Sequence, residues 1–415
     1  MNDWDFSPPP ESPLHDREVA LDGTQLVGRR VALMVTGGIA AMKAPLLARA
    51  LRRRGADVIA FASEEALRYV TADALEWSTT HPVVTRLSPM AEHLSDTTPF
   101  DAYLVAPATY NTLNRMRYGL ADGVITATLA SALGRLSRGR ARVLVAPTMH
   151  GTMHTPILTE SLETLAGMGV DVITPRMENG KHNLPDNEVI VAAVCRALSR
   201  SPLRGKPVLV TGGPTPVPID GVRRIVTRFR GRLGIAIAEE LYLRGAAVSC
   251  IHGDGALRPP SWLPYRVART YDDYRALVHE VLDARPHAAA ILSAAVADYR
   301  PTQVVRGKIP GGRASLRLDL VPTVKVVDEV REHHPAMPVV SFKYLEGVDH
   351  DRLLTVAAER LAAGHAGVVA NRGEETGKDG AQVAWLCFGD APERVEGKRE
   401  IARRLVDRVE AFVQV

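Results

Sequence analysis

Two glycine pairs, each placed directly after a predicted strand, are the residues of this chain best suited to bind phosphate. The first lies in VTGGIAAMK (35–43), and the same four letters VTGG recur at 210–213. The first turn of a helix carries unpaired N–H groups and a partial positive charge, and glycine leaves the approach of a phosphate open. A tight turn with left-handed backbone selects glycine equally well, so both explanations of Gly37 and Gly38 remain open at this point.

The first glycine pair does not form the GxGxxG pattern of dinucleotide-binding proteins. No acidic residue ends the second predicted strand, VIAFAS (58–63), where a dinucleotide ribose would need one. A mononucleotide or a flavin phosphate is therefore the better ligand for this pair.

Further polar side chains follow the strands of the first half, at the edge where an open parallel sheet binds ligands. They are Ser63, the stretch PATYNT (107–112) and the stretch PTMHGTMH (147–154). Hydroxyl and amide groups beside backbone N–H groups suit a ring with many acceptors, although Thr109 or Asn111 could simply cap a helix. His93, in a polar stretch before the third predicted strand, is a candidate catalytic residue, although an isolated histidine outside a core is more often a surface residue.

Composition excludes several classes of protein. The net charge of +4 over 415 residues comes from arginines scattered without interleaved aromatic residues, which disfavours a nucleic-acid partner. No stretch reaches the length needed to span a membrane, and the acidic, proline-rich start MNDWDFSPPPESP is unlike a signal peptide, so we expect a cytoplasmic protein. Cys195, Cys250 and Cys387 are far apart, which indicates buried thiols rather than disulfides or a metal site.

Strands and helical segments alternate along the chain, which is typical of parallel sheets with helices on both faces. The pattern predicts two tandem three-layer α/β domains with mostly parallel sheets, at residues 29–200 and 201–415, after a flexible arm at 1–28. Because the glycine pair occurs in both halves, we expect two active sites. The predicted strands are 31–35, 58–63, 101–109, 142–149, 170–174, 208–216, 247–253, 289–299, 338–343, 366–371 and 383–387.

Four features in order over residues 35–153 resemble the flavin-dependent cysteine decarboxylase family, whose members bind FMN in a Rossmann-like trimer. They are VTGGIAAMK, the histidine before a strand, PATYNT, and Pro-x-Met-x-x-x-Met at 147–153. The resemblance implies that His93 is the active-site base, and His150 can donate a hydrogen bond to the substrate carboxylate. It also implies an FMN site formed by Gly37, Gly38, Ile39, Ala40, Ser63, Pro107, Ala108, Thr109, Asn111, Thr112 and Met149.

The second half is similar to phosphopantothenate–cysteine ligases. The matching stretches are VTGGPTPVPID (210–220), TRFRGRLG (227–234), AAVADYRP (294–301), Lys308, VVAN (368–371) and GKRE (397–400). A decarboxylase followed by a ligase resembles the bifunctional family of coenzyme A biosynthesis, over nearly the whole chain from about residue 29.

This resemblance implies two consecutive reactions on small molecules. The ligase half would join 4′-phosphopantothenate to cysteine with CTP or ATP, with Mg²⁺ bridging the triphosphate and Lys308 neutralising charge on the transferred phosphate. The first half would then decarboxylate the product to 4′-phosphopantetheine. Trimeric contacts of the decarboxylase and dimeric contacts of the ligase would close a dodecamer. The implied nucleotide and substrate residues are Gly212, Gly213, Thr227, Arg230, Arg232, Ala294, Asp298, Lys308 and Phe342.

The chain departs from the family pattern in both halves. Most bacterial members carry Asn in place of His150, and a cysteine on a flap that protonates the intermediate. Here the chain continues from VITPRMENG (172–180) without a cysteine, which predicts that the flap is absent and that another group donates the proton. In the ligase half, the family loop Asn-x-Ser-Ser-Gly-Lys reads Thr227 to Arg232, and a lysine pair is reduced to Lys308.

Two other functions therefore remain open. One is a tailoring flavoprotein that decarboxylates a peptidyl cysteine and carries a degenerate ligase-like half. The other is a non-catalytic regulatory subunit that binds a related decarboxylase through the trimer surface. Retention of His93 in the first half, and of Asp298, Tyr299 and Lys308 in the second, argues against decay of either half.

Overall fold

The structure, a computed structural model, describes residues 7–8, 10–94, 97–255, 257–312 and 314–413. The chain separates into two compact units, Met1–Ser199 and Arg200–Val415. Each unit is built on a largely parallel sheet with helices packed on both faces. The predicted fold class, with two tandem three-layer α/β domains, is confirmed.

Within its described residues, the first unit contains short strands, the longest of them buried, and six α-helices. In its described part the strands are β1 (Arg30–Val35), β2 (Asp57–Ala62), β3 (Ala102–Ala108), β4 (Arg142–Pro147), β5 (Met149–His150), β6 (Asp171–Val172), β7 (Arg176–Glu178) and β8 (Lys181–Asn183). The helices are α1 (Ala44–Arg52), α2 (Ala72–Thr79), α3 (Tyr110–Tyr118), α4 (Val124–Leu136), α5 (Pro156–Gly167) and α6 (Asn187–Leu198). All seven residues of β3 are buried, as expected for a strand covered on both faces.

The central sheet of the first unit is parallel, with the strand order β2-β1-β3-β4-β6. Strand β2 lies on one side of β1, whereas β3, β4 and β6 follow on the other side, so the strand order reverses between β1 and β3. Ligands of such sheets bind beyond the strand ends at this switch point. Helices α3, α4 and α5 cover one face through Leu113, Leu129 and Leu165, and α1 and α6 pack on the other. The segment after the first glycine pair forms a 3₁₀ turn at Ile39–Lys43 that continues into α1.

A second, three-stranded antiparallel sheet joins β5, β8 and β7 in that order. Strands β7 and β8 form a hairpin around Asn179 and Gly180, which have φ values of 51° and 67°. The prediction that no flap follows residues 172–180 is therefore wrong: a short hairpin without cysteine stands there. Asn-Gly between two short strands favours this turn because both positions require positive φ.

The second unit repeats the architecture with a larger sheet. The described strands are β9 (Pro207–Gly212), β10 (Val217–Pro218), β11 (Arg224–Ile225), β12 (Ala247–Gly253), β13 (Tyr265–Ala268), β14 (Ala289–Leu292), β15 (Tyr299–Pro301), β16 (Leu320–Pro322), β17 (Val339–Leu345), β18 (Gly367–Arg372), β19 (Val383–Cys387) and β20 (Glu393–Glu396). The helices are α7 (Arg232–Leu243), α8 (Tyr271–Ala284), α9 (Val326–His333), α10 (His350–Ala362) and α11 (Lys398–Val413).

The large sheet has the order β13-β12-β9-β14-β17-β18-β19-β20, in which β19 runs antiparallel to both of its neighbours, β18 and β20. Its switch point lies between β9 and β14. Alternate residues of β9 face opposite layers: Val208 and Val210 pack with α7 and α11, whereas Leu209 packs with α8 and α9. Short two-stranded pairs, β10 with β11 and β15 with β16, lie outside the large sheet.

The segment predicted as a flexible arm is described only in part, because residues 1–6 and 9 lie outside the described residues. Its last residues contact the first unit: Leu26 is fully buried, and the N–H groups of Asp22 and Leu26 donate to the carbonyls of Arg53 and Arg54. Across the described ranges, no helix combines the length and the apolar character that crossing a membrane requires.

Candidate active sites

A cavity of about 900 Å³ opens at the switch point of the first sheet, beyond the ends of β1, β3 and β4. A volume of this size is within the range of small-molecule and cofactor sites. Ala108 is buried within β3 and does not line the cavity. The remaining residues of the predicted FMN set all line it, namely Gly37, Gly38, Ile39, Ala40, Ser63, Pro107, Thr109, Asn111, Thr112 and Met149.

The glycine turn after β1 leaves backbone N–H groups open to this cavity. Gly38 precedes the 3₁₀ turn with an extended backbone (φ −159°) and no side chain caps that turn. Neither Gly37 nor Gly38 has a positive φ, so a left-handed turn does not explain them. A Cβ on Gly37 would lie under 3.0 Å from Cβ of Glu65, so close packing requires glycine at this position.

Threonine hydroxyls hold the two loops of this switch point together. Oγ1 of Thr36 donates to the carbonyl of Pro107 at 2.6 Å and lies 3.4 Å from Oγ1 of Thr109. Thr109 also accepts a hydrogen bond from the N–H of Thr112, at 3.4 Å, and so caps α3. The capping explanation of Thr109 is therefore correct, and the same residue faces the cavity. Asn111 does not cap; its Oδ1 accepts from Nε of Arg115.

His150 lines the cavity from β5, as predicted. The N–H of Thr152 donates to its Nδ1 at 3.3 Å, which leaves the proton of the neutral ring on Nε2. Three hairpin residues that the sequence did not indicate, Lys181, His182 and Asn183, line the cavity beside it. The Asn-Gly turn signal at 179–180 would have revealed the hairpin that carries them.

His93 is not among the residues around this cavity. It is half-buried in a turn, and its buried Nδ1 has no hydrogen-bond partner within the described ranges. A single chain thus does not bring His93 to the predicted FMN residues, and its role as a base stays a prediction.

A second cavity, of about 570 Å³, opens at the switch point of the large sheet, beyond β9 and β14. Gly212 and Lys308 do not line it. Gly212 packs within β9, where a Cβ would lie 3.3 Å from Cα of Gly234. The other predicted nucleotide and substrate residues do line it, namely Gly213, Thr227, Arg230, Arg232, Ala294, Asp298 and Phe342.

Positive charge dominates the second cavity. Asp298 is the one carboxylate among the residues that line it, and it pairs with Lys325. Burial lowers the pKa of Lys343, and the neighbouring Arg360 lowers it further. The N-terminus of α7 also faces the cavity, behind Gly231, with no side chain capping it. The seven cationic residues that line it are Arg228, Arg230, Arg232, Lys325, Lys343, Arg360 and Lys398.

Several residues that line this cavity were missed from the sequence. Lys343 and Asn371 lie at the ends of β17 and β18, where strand-end reasoning could have found them, and Lys398 belongs to the GKRE stretch. Arg228 lies inside the loop that was compared with the family pattern. Lys325 and Arg360 carried no sequence signal, because they reach the cavity from the start of α9 and from α10.

Lys308 lies on an exposed loop that a buried carboxylate anchors. Asp220 accepts hydrogen bonds from the N–H groups of Ile309 (3.0 Å) and Arg223 (2.6 Å), and the N–H of Gly221 donates to the carbonyl of Gly307 at 2.6 Å. The residues on both sides of Lys308 are thus fixed. The hydrogen bonds that Asp220 accepts, above all the one from Ile309, hold the pKa of its carboxyl group well below its usual range.

In the described part of the chain, no group of three or more His, Cys, Asp or Glu side chains could hold a metal ion. A divalent cation at the second cavity would therefore need phosphate oxygens of a bound substrate among its ligands.

Comparison with known proteins identifies both halves. The sequence model of the family described as Flavoprotein matches residues 20–199, and that of the DNA/pantothenate metabolism flavoprotein C-terminal domain matches residues 203–413. The coenzyme A biosynthesis bifunctional protein CoaBC of Thermococcus kodakarensis is 35% identical over 95% of this chain and 98% of its own length. The chain belongs to the CoaBC family.

Other proteins of this family also match the chain. CoaBC of Methanocaldococcus jannaschii is 27% identical over 95% of this chain and 97% of its own length. A solved structure of the C-terminal domain of a CoaBC protein is 26% identical, with a TM-score of 0.42, and covers 52% of this chain and 98% of that one. The predicted resemblance to the bifunctional family of coenzyme A biosynthesis is confirmed.

Proposed function

We propose that the chain carries out two consecutive steps of coenzyme A biosynthesis. The second unit joins 4′-phosphopantothenate to cysteine at the expense of CTP or ATP, and the first unit decarboxylates 4′-phosphopantothenoylcysteine to 4′-phosphopantetheine. The observation that carries the proposal is the pair of switch-point cavities, one per unit, of which only the second is strongly cationic. The match to full-length bifunctional relatives over both units supports it.

The first cavity fits FMN. The open N–H groups behind Gly38 suit the phosphate, and the hydroxyls of Ser63, Thr109 and Thr112 offer hydrogen bonds to the rest of the cofactor. When bound, FMN would supply reversible two-electron oxidation of the thiol-bearing carbon, which lets the electrons of the C–COO⁻ bond delocalise onto sulfur. His150, with a proton on Nε2, would hold the carboxylate until it leaves.

The second cavity fits substrates that carry many negative charges. A nucleoside triphosphate and a phosphorylated acid both enter the ligation, and the cationic lining would neutralise them together. Mg²⁺ would offset the negative charge of the triphosphate, and Asp298 is the one carboxylate among the lining residues that could help to hold it. The open N-terminus of α7 would receive a phosphate group.

Exposed apolar side chains support the proposed oligomer. On the first unit, Ile39, Met42 and Leu46 are 68%, 60% and 64% exposed and follow helical spacing along one face. On the second unit, the β15–β16 region exposes Tyr299, Val304, Val305, Leu320, Val321 and Val324. We propose that the first surface forms trimers and the second forms dimers, which together close a dodecamer. Mass photometry of a stable monomer would contradict this assembly.

Product analysis tests the two activities separately. The purified protein is incubated with phosphopantothenate, cysteine, Mg²⁺ and either CTP or ATP, and products are identified by mass spectrometry. We expect phosphopantetheine when FMN is bound, and phosphopantothenoylcysteine when FMN has been removed. Failure of the flavin-loaded protein to form either product would refute the proposal.

The same experiment distinguishes the alternative functions. A tailoring flavoprotein would decarboxylate a peptidyl cysteine and leave phosphopantothenate unchanged. A regulatory subunit would turn over neither substrate. The presence of seven cationic residues around the second cavity argues against a degenerate ligase half.

A further inference from the structure

Two histidines form a hydrogen-bonded pair at the edge of the first cavity. His182, on β8 of the hairpin, lines the cavity, and its Nδ1 lies 3.1 Å from Nδ1 of His154. The ring centroids are 4.7 Å apart and the ring planes are nearly perpendicular. Nothing in the proposed roles of the FMN and carboxylate residues uses this pair.

Both ring nitrogens of His154 make contacts. Nε2 of His154 lies 3.2 Å from Oγ1 of Thr159, and Nδ1 lies 3.1 Å from Nδ1 of His182. A histidine held at both nitrogens keeps one ring orientation, so His154 in turn positions the ring of His182. Because Nδ1 of His182 faces His154, Nε2 is the ring nitrogen available to a molecule in the cavity that His182 lines.

Decarboxylation of a cysteine amide consumes one proton at carbon. When bound, FMN would supply the two-electron oxidation of the thiol-bearing carbon, in which the thiol also loses its proton, and the reverse reduction at the end of the reaction. Between the oxidation and the reduction the C–COO⁻ bond breaks and its electron pair forms a C=C bond, so CO₂ and an enethiolate result. The carbon that carried the carboxylate must then gain a proton, which restores the C=S group for the final reduction.

We propose that Nε2–H of His182 delivers this proton, with His154 as its positioning residue. The assignment rests on the proposed decarboxylase function. On the three strands of the small sheet, the charged or titratable groups nearest to His182 in the register are Lys181 next to it, His150 opposite Lys181 on β5, and Glu178 opposite Lys181 on β7. His150 is committed to the carboxylate, and a lysine ammonium is a weaker acid than an imidazolium. After the transfer, His182 regains its proton from water, since its side chain is half-buried.

Replacement of His182 by glutamine tests the assignment by product identity. With phosphopantothenoylcysteine under anaerobic conditions, His182→Gln should release CO₂ in the first turnover and accumulate the enethiol. Formation of phosphopantetheine should fall by about 10²–10⁴-fold. The control is His81→Gln, which removes a histidine that pairs with Asp57 outside the cavity and should leave the products unchanged. Phosphopantetheine formed at the wild-type rate by flavin-loaded His182→Gln would overturn the proposal.

A second measurement does not depend on activity. In the FMN-free protein, the rate of acylation of His182 by diethyl pyrocarbonate is followed by mass spectrometry at one fixed pH. His154→Ala should raise this rate, because it removes the ring that contacts Nδ1 of His182, whereas His81→Gln should not. An unchanged rate would overturn the role of His154. If wild-type protein released no CO₂ from phosphopantothenoylcysteine, the proposed function would fail, and the acylation result would stand by itself.

Discussion

Replacement of Gly37 by alanine separates the packing role of this glycine from a role in phosphate binding. The new Cβ would lie under 3.0 Å from Cβ of Glu65, with the carbonyl carbon and Cα of Glu65 at 3.2 and 3.4 Å. None of these atoms is the free end of a flexible side chain. The turn after β2 must therefore shift its backbone to accept one methyl group.

The size of the effect follows from this crowding. Overpacking of a close contact costs about 1–3 kcal/mol, which for a unit of this size lowers its Tm by roughly 2–12 °C. Gly38→Ala should differ, because its Cβ would meet Cγ2 of Thr109 at an ordinary 3.4 Å. We expect Gly38→Ala to keep the stability and to weaken FMN binding, since its methyl group would stand where the phosphate approaches.

Gly134 supplies the matched control. It lies in the exposed interior of α4 with no atom within 4 Å of an added Cβ, so Gly134→Ala should stabilise the unit by about 0.4–1 kcal/mol. Calorimetry measures the unfolding transition of the first unit, and flavin fluorescence measures FMN affinity. If Gly37→Ala unfolded at the wild-type temperature, the packing explanation would be wrong; if Gly38→Ala bound FMN normally, the glycine turn would not be the phosphate site.

Four further outcomes can be checked. Lys343→Gln should slow ligation by about 10²-fold or more, because it removes a cation that lines the second cavity. Lys308→Gln should block ligation and leave decarboxylation unchanged, because the ligase resemblance implies that Lys308 neutralises the transferred phosphate. Full ligase activity of this variant would show that the exposed loop of Lys308 has another role. Burial, followed by Arg331 and Arg360, lowers the pKa of His365 from 6.5 to about 4, so the unfolded chain binds a proton that the folded chain does not. The stability of the second unit should therefore fall as the pH drops from about 6.5 to 4, and by less in His365→Gln, as calorimetry would show. His93→Asn should keep FMN and lose about 10²–10⁴-fold in CO₂ release, with phosphopantothenoylcysteine accumulating; unchanged turnover would make His93 a surface residue.

Sequence pattern predicted the sheets well because their strands are continuous buried runs. VALMV, DAYLVAPAT and RVLVAPTM became β1, β3 and β4 with small changes at their ends. Short elements escaped prediction. The strands β7 and β8 have three residues each, too few for any periodicity to appear, and the turn between them was the informative part.

The site residues were predictable where backbone position decides proximity. Strand ends at a switch point meet in space, so Gly38 and Thr109 could be placed together from the sequence. Cavity residues that lie on helices or hairpins could not be placed from the sequence; Arg360 on α10 and His182 on β8 are examples. Lys308 illustrates the converse case: its motif position predicts a site residue, but Asp220 fixes its loop and Lys308 does not line the cavity, so its role stays a prediction.

The recurrence of VTGG in the two units has different physical causes in each copy. Gly213 has a φ of 76°, the left-handed conformation that glycine alone adopts freely, and its added Cβ would crowd the backbone of Gly253. Gly37 and Gly38 have no positive φ, and Gly37 is selected by contact with Glu65 instead. The tight-turn explanation is therefore correct for the second copy and wrong for the first. Both copies nevertheless follow a strand that ends at a switch point, and a cavity opens beside each of them. The position of the strand end determines where a ligand can approach, whatever structural constraint selects each glycine. The ligand is then selected by the side chains around the opening: seven lysines and arginines against one carboxylate in the second cavity, but Arg115 and Lys181 against three carboxylates in the first.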